Sequence, residues 1–332
     1  MTLHRRHALQ ALLALPAGSL LTGLPRAARA QETFPSRPVT LLVPQPAGGG
    51  ADSLCRTLQA RLQEALGQPV VIDNRGGAAG NIGTAAGLSA KADGHTLTFV
   101  NLSTVALNPH LYAKTGYQVA DMQPVIQLAS VANLIVVHPS KVTARTLREF
   151  IAQARQSPGR FSYATAGNGS GNHLGGEMLK RMAGIDLLHV PYKGGAPAVN
   201  AALAGEVDMA VADPLAVMAH LKAGTLRALA VTSSRRAAAL PDIPTVAESG
   251  VPGYDAPSWA GIVVPRGTPA AVVTRLHAAF AQALKTPDIA ARLSAQLYEP
   301  AGADPKAFGA LMAAEDARWS KLIRQLDIRL DS

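Results

Sequence analysis

Two glycine-rich loops constrain this chain more than any other feature. The first, Pro46-Ala47-Gly48-Gly49-Gly50-Ala51-Asp52-Ser53, follows the strand-like run Val39–Val43. The second, Thr165-Ala166-Gly167-Asn168-Gly169-Ser170-Gly171-Asn172-His173, follows Phe161–Ala164. Each opens a segment with helical apolar spacing: Leu54, Leu58, Leu62 and Leu66 after the first, Leu174, Met178 and Met182 after the second. A strand, a run of glycines and a helix start bring unpaired backbone N–H groups and the positive end of a helix dipole to one point. Glycine lets a ligand approach that backbone closely, and the combination suits an anion. Two such points, far apart in the chain, predict a ligand held between two lobes.

The N-terminus reads as a cleavable secretory signal over residues 1–30. Arg5 and Arg6 precede a largely apolar run, Ala8–Leu24, and Ala28-Arg29-Ala30 is a small-x-small cleavage signal before Gln31. The twin arginines suggest the folded-export route, although their neighbours fit that consensus loosely. A membrane anchor is the competing reading. Pro16, Gly18 and Pro25 interrupt the apolar run, short of the roughly 18 apolar residues a spanning helix needs. The expectation is therefore an exported, periplasmic protein.

The full chain carries 31 Lys and Arg against 22 Asp and Glu. Four arginines leave with the signal, and the remaining excess of base is spread along the chain with few aromatics. That distribution argues against nucleic acid as a partner, while a modest positive field favours an anionic small molecule. One cysteine, Cys55, cannot form an internal disulfide, so the core alone must hold the exported fold. Cys55 reads most simply as a buried helix residue.

Short β-branched or apolar runs alternate with helical stretches: Val39–Val43, Val70–Asp73, Thr96–Val100, Ile135–His138, Phe161–Ala164, Leu187–Val190, Val207–Val211, Leu226–Val231 and Ser258–Val264. That alternation predicts βαβ units and mainly parallel sheets. The C-terminal part turns helical, with Val272, Leu276, Phe280 and Leu284, then Phe308, Leu311, Trp319 and Ile323. Enzyme signatures are missing. There is no GxxxxGK[ST], no GxGxxG in Arg75–Gly83 and no GxSxG elbow. The histidines never fall at metal-ligand spacing, so no metal and no cofactor is expected. Ser170 with His173, or Cys55, could serve a hydrolase or isomerase, but helix capping accounts for Ser170 more simply. Binding is the preferred reading.

Several sequence blocks then carry a specific resemblance. They include Val43-Pro44 with the triple glycine and Asp52, Asn74-Arg75 through Gly80-Asn81-Ile82-Gly83, and Asp93-Gly94-His95-Thr96-Leu97. Asn108-Pro109-His110-Leu111-Tyr112, Ala166–Ser170 with His173-Leu174, and His189-Val190-Pro191-Tyr192-Lys193-Gly194 follow in order. Arg227–Thr232 and Leu240–Glu248 complete the series. In these blocks the chain resembles the Bug-type extracytoplasmic solute receptors, the substrate-binding components of tripartite tricarboxylate transporters. The resemblance implies an α/β, two-lobed periplasmic-binding-protein type II fold, with two mainly parallel sheets joined by two crossing strands near Val125–Val131 and Asp255–Val264. Lobe 1 is expected over 31–130 plus 253–332, and lobe 2 over 131–252.

The same resemblance implies a small carboxylate ligand, no catalysis, and two lobes closing over that ligand; the protein is expected to be a monomer. Its partner would be a transporter membrane component or, alternatively, a signalling partner such as a sensor kinase. The expected ligand-binding residues are Gln45, Pro46, Ala47, Gly48, Gly49 and Asp52 of the first loop, with Thr104. The second loop contributes Thr165, Ala166, Gly167, Asn168, Gly169, Ser170 and His173, joined by Tyr192 and Asp213. Tyr192 and Lys193 could equally brace a turn, and Asp213 reads more readily as the cap of the helix after Pro214 than as a ligand contact. Trp259 reads as packing at a crossing, and Arg75 as half of a surface salt bridge. Two departures from the family pattern bear on the ligand. Gln45 replaces an aromatic residue, and Ala212 stands where many members have an aspartate that pairs with amino-acid ligands. A dicarboxylate or hydroxylated carboxylate is therefore expected in preference to an amino acid.

Overall fold

The computed structural model describes residues 34–326; the expected signal segment lies outside them. Strands and helices alternate through most of this span. The strands are β1 (Val39–Val43), β2 (Val70–Asn74), β3 (Thr96–Asn101), β4 (Met122–Val131), β5 (Leu134–Val137), β6 (Phe161–Thr165), β7 (Leu187–Pro191), β8 (Met209–Ala212), β9 (Arg227–Val231), β10 (Ser258–Pro265) and β11 (Tyr298–Ala303). They form two sheets, ordered β11-β4-β10-β3-β1-β2 and β7-β6-β8-β5-β9. The helices that cover them are α1 (Gly50–Leu66), α2 (Asn81–Leu88), α3 (Asn108–Leu111), α4 (Leu147–Gln156), α5 (Gly171–Ala183), α6 (Gly195–Ala204), α7 (Pro214–Lys222), α8 (Ala270–Leu284), α9 (Pro287–Ala295) and α10 (Pro305–Leu326). None of the described helices is long and apolar enough to cross a membrane.

Each sheet is mixed, which corrects the expectation of mainly parallel pairing. In the first sheet β1 runs parallel to β2 and β3, while β10 is antiparallel to β3 and β4, and β11 to β4. In the second, β6 is parallel to β7 and β8, while β5 is antiparallel to β8 and β9. Parallel neighbours require a long crossover, usually a helix. Strands that arrive from the other sheet, as β5 and β10 do, are free of that requirement.

The chain changes sheet just outside the segments expected to cross. Val125–Val131 and the part of Asp255–Val264 from Ser258 onward are ladder partners within the first sheet. The change of sheet itself occurs at Ala132-Asn133 and again between Val231 and Ser258. There Thr232 N–H donates to the Asn133 carbonyl (2.9 Å), Asn133 N–H to Thr232 Oγ1 (3.1 Å), and Ala256 N–H to the Thr232 carbonyl (2.8 Å). All three residues are buried.

Helix α1 shows how the sequence spacing becomes structure. Leu54, Leu58, Leu62 and Leu66 recur on one face and are buried against β1, β3 and α8 in one apolar cluster. Cys55 is in that cluster, fully buried, and burial pushes its thiol far above the usual range. The helix ends at Gly67, whose positive φ of 71° lets its N–H return to the Gln63 carbonyl. A second cluster joins the sheets directly: Leu102 after β3, Leu174 and Met178 of α5, Trp259 of β10, and Phe308 and Trp319 of α10 all belong to it.

Sequence reading missed β11, where Pro300 and Gly302 disguise a strand. Pairing with β4 is irregular between Pro300 and Ala303, and β11 lies at the sheet edge, where proline is tolerated. On β10, a Cβ at Gly261 would collide with the Phe308 ring and lie 2.8 Å from the Ile126 carbonyl oxygen. Gly261→Ala should therefore destabilise the protein by about 1–3 kcal/mol through overpacking. Urea unfolding checks this; an unchanged midpoint would contradict it.

Candidate functional site

The first loop links the buried end of β1 to α1. Gln45 is half-buried, and Pro46, Ala47 and Gly48 are exposed. Asp52 is buried and turned back on its own loop. Its carboxylate accepts from Gly48 N–H at 2.8 Å, and Arg56 Nε lies 2.9 Å from it. Burial acts to raise its pKa, but the bonds from Arg56 and Gly48 outweigh that and hold it below the ordinary carboxylate value. Asn74 supports the same loop, donating Nδ2–H to the Gln45 carbonyl at 3.2 Å. Asp52 thus braces the loop and occupies the Gly48 N–H.

Further along, the cap position before α1 is Gly49, which has extended backbone and supplies no side-chain cap. The N–H groups of its first turn have no intrahelical acceptors, so this end of the loop keeps the donors an anion needs. Behind it packs a third loop that sequence reading did not assign to the site. A Cβ at Gly76 would touch Pro46 at 3.2 Å, and one at Gly80 would meet Thr104 Cγ2 at 3.1 Å and the Pro44 carbonyl at 3.2 Å. Gly77 to Gly80 all have positive φ, including Ala78 and Ala79. The glycine spacing in Arg75–Gly83 was the available signal. Arg75 itself pairs with Asp73 at 2.8 Å, as expected. Thr104 is buried in the turn after β3; its Oγ1 accepts from Asn101 N–H at 3.2 Å.

The second loop uses more of its donors internally. Ser170 caps α5: its Oγ accepts from His173 N–H (3.2 Å) and donates to the Gly167 carbonyl (2.7 Å). Gly169 N–H donates to His173 Nδ1 (3.2 Å), and Gly167 N–H to Thr165 Oγ1 (3.3 Å). Ala166 is half-buried and Asn168 exposed. Because the ring of His173 bonds Gly169 rather than Ser170, no nucleophile–base pair forms, and the arrangement lacks the geometry a hydrolase needs.

Beneath this loop the imidazoles of His173 and His189 stack at 4.0 Å, with Thr165 Oγ1 2.7 Å from His189 Nε2. Nearby, Glu177 Oε1 receives Tyr163 Oη–H (2.6 Å) and Lys180 Nζ (3.0 Å). Burial lowers the pKa of both histidines, and His173 helps bring His189 down to about 4. A neutral His173 can therefore accept from Gly169.

The remaining candidates divide. Tyr192 is tied to the loop by its backbone, N–H to the Thr165 carbonyl at 3.1 Å, but its hydroxyl goes to Glu206 at 3.4 Å. Asp213 does cap α7, accepting from Leu215 N–H at 2.9 Å. It also reaches the other sheet: its two carboxyl oxygens lie 3.4 and 3.5 Å from the point a Cβ at Gly50 would occupy. Burial raises its carboxyl pKa. Trp259 packs edge-on against Phe308 at 5.5 Å, a packing role at the crossing. A cavity of about 490 Å³ lies between α5 and α10, lined by Met178, Arg181, Met182, Gly253, Arg318, Leu322 and Gln325. None of these belongs to the glycine loops.

The histidine pair makes stability depend on pH with a definite sign. Both folded-state values lie below the unfolded value of about 6.5, so the stabilisation is complete above that pH and is lost as pH falls through about 4. Between pH 7 and 4.5, urea unfolding should show the wild type losing on the order of 2 kcal/mol more than His189→Gln. Equal losses would contradict the assignment.

Comparison with known proteins gives one answer. The family described as tripartite tricarboxylate transporter family receptor matches residues 54–328. Protein BugT of Bordetella pertussis is 36% identical over 301 residues, covering 90% of this chain and 92% of that protein. An R. palustris protein solved with adipate is 38% identical with a TM-score of 0.84, covering 89% of this chain and 99% of that one. MatC from Rhodopseudomonas palustris, solved with bound malate, is 31% identical with a TM-score of 0.79 and covers 87% of this chain and all of that one. A structural core of two mixed sheets, glycine loops at the strand ends and agreement over almost all the described residues lead to one conclusion: the chain belongs to the tripartite tricarboxylate transporter family of receptors.

Proposed function

We propose that this protein is a periplasmic receptor that captures a small carboxylate at the first glycine loop, between its two sheets, and delivers it to a tripartite-type membrane transporter. The observation that carries this reading is the N-terminus of α1, which has glycine at its cap position and no side-chain cap. A carboxylate there gains about 0.3–1 kcal/mol from the helix dipole, up to ~2 when partly buried. Each hydrogen bond to it adds roughly 1.5–3 kcal/mol. Together with a few donors from the second loop, these terms support micromolar binding, about −8 kcal/mol. The adipate and malate held by the two related structures belong to the same ligand class.

The receptor acts as a monomer, and residues 1–30 direct its export. Lobe 1 comprises 31–130 and 253–332 and lobe 2 comprises 131–252, closing about the connections tied by Thr232. Closure requires a ligand that binds the closed state more tightly, since equal affinity for both states shifts nothing. Gln45 at the loop and Ala212 at the end of β8 favour a dicarboxylate or hydroxylated carboxylate over an amino acid.

Thermal unfolding with succinate, malate, adipate and citrate tests the reading. A ligand at a hundred times its Kd should stabilise the wild type by about 2.7 kcal/mol. Gly49→Val should remove that stabilisation while the unliganded protein keeps its stability. Gly49 has φ −78° and ψ 174°, which valine adopts readily, and its Cβ would make only an ordinary 3.4 Å contact with the Pro46 carbonyl. No stabilisation of the wild type by any of the four, or full stabilisation of the variant, would overturn the proposal.

A further inference from the structure

Tyr298 was not among the residues expected at the site, yet its hydroxyl reaches it. The side chain is buried in the apolar cluster of the first sheet, with 4% of the residue exposed. Its Oη lies 2.8 Å from the point where a Cβ at Gly50 would sit, the same point that the Asp213 carboxyl oxygens approach to 3.4 and 3.5 Å. A tyrosine of one sheet and an aspartate of the other therefore converge over the first turn of α1, in space that glycine leaves open. Among the described residues the Tyr298 hydroxyl makes no hydrogen bond, and Asp213 receives one, at Oδ1. The preceding residue, Leu297, holds a positive φ of 58° and is buried in the cluster of the second sheet. Adjacent residues thus anchor in opposite cores, and a conformation that costs leucine about 1–2 kcal/mol sets where Tyr298 points.

A hydroxyl donor on a buried ring beside a carboxyl acceptor, both with unused capacity, suits one group better than others. A ligand hydroxyl can accept from Tyr298 and donate to Asp213 at once. A methylene would leave both polar groups unsatisfied, which is the arrangement that rejects an analogue lacking the hydroxyl. An ammonium group can donate to both oxygens, but without a lone pair it leaves the Tyr298 O–H with no acceptor on the ligand. We propose that Tyr298, together with Asp213, is a specificity-determining residue that selects a hydroxylated carboxylate by bridging its hydroxyl group. This rests on the carboxylate-receptor reading above and extends it to the substituent beside the carboxylate.

Calorimetry with malate, succinate and aspartate, which share one carbon skeleton and differ in a hydroxyl, a hydrogen and an ammonium, tests it. The wild type should bind malate at least about tenfold more tightly than either analogue. Tyr298→Phe keeps the ring in the core and should weaken malate about tenfold while changing succinate less than about threefold. Asp213→Asn, which preserves a good helix cap, should likewise narrow the malate preference. Equal weakening of malate and succinate by Tyr298→Phe would show a packing role and overturn the inference. So would unaltered malate binding in that variant, or wild-type preference for succinate or aspartate. If wild type binds succinate or adipate but does not favour malate, the inference alone falls. If it binds no carboxylate, the receptor reading falls and takes the inference with it.

Discussion

Thr232 bonds both chains that pass between the sheets, using its backbone N–H, its carbonyl and its hydroxyl within a buried site. The rest of the architecture depends on this tie. Ala132-Asn133 is too short to fix the second sheet against the first by itself, and the return from β9 to β10 is long. Joining the two at one residue places both connections on a single axis. Asp213 from one sheet meets Tyr298 from the other at the first turn of α1.

The two glycine loops look alike on paper and differ in what they leave free. Ser170, Thr165 and His173 satisfy amides of the second loop from within, so that loop is rigid and largely self-contained. The first loop is braced by Asp52 and Asn74 from one side, while the helix it opens has glycine at the cap and no side-chain acceptor. Buried backbone donors need partners, and at α1 no side-chain cap supplies one. On the proposed reading, this asymmetry gives the main anion contact to the first loop and a supporting wall to the second.

Buried polar groups around the site serve shape more than chemistry. The stacked histidines are kept neutral by burial, which lets His173 hold Gly169 in its turn. Cys55 is buried with its thiol strongly protonated, and Ser170 has no base beside it. Each residue that could have suggested an enzyme is occupied in the core or in building the second loop. These side chains give the loops a fixed shape.

Local pattern alone determined much of this protein. The strand runs, the leucine spacing of α1, the glycine loops, the capping role of Ser170 and the burial of Cys55 follow from periodicity and from the conformations glycine and serine allow, all of which act over a few residues. The family, too, was readable from motif blocks in order. Tertiary structure decided the rest. It made both sheets mixed, because strands arriving from the other sheet escape the crossover constraint. It formed β11 despite Pro300, because an edge needs fewer N–H donors. It turned Asp52 onto its own loop, packed Arg75–Gly83 behind the first loop, and brought Asp213 and Tyr298 together across 85 residues of sequence. Those outcomes depend on contacts between distant segments, and no short-range spacing encodes which distant backbone a side chain will meet.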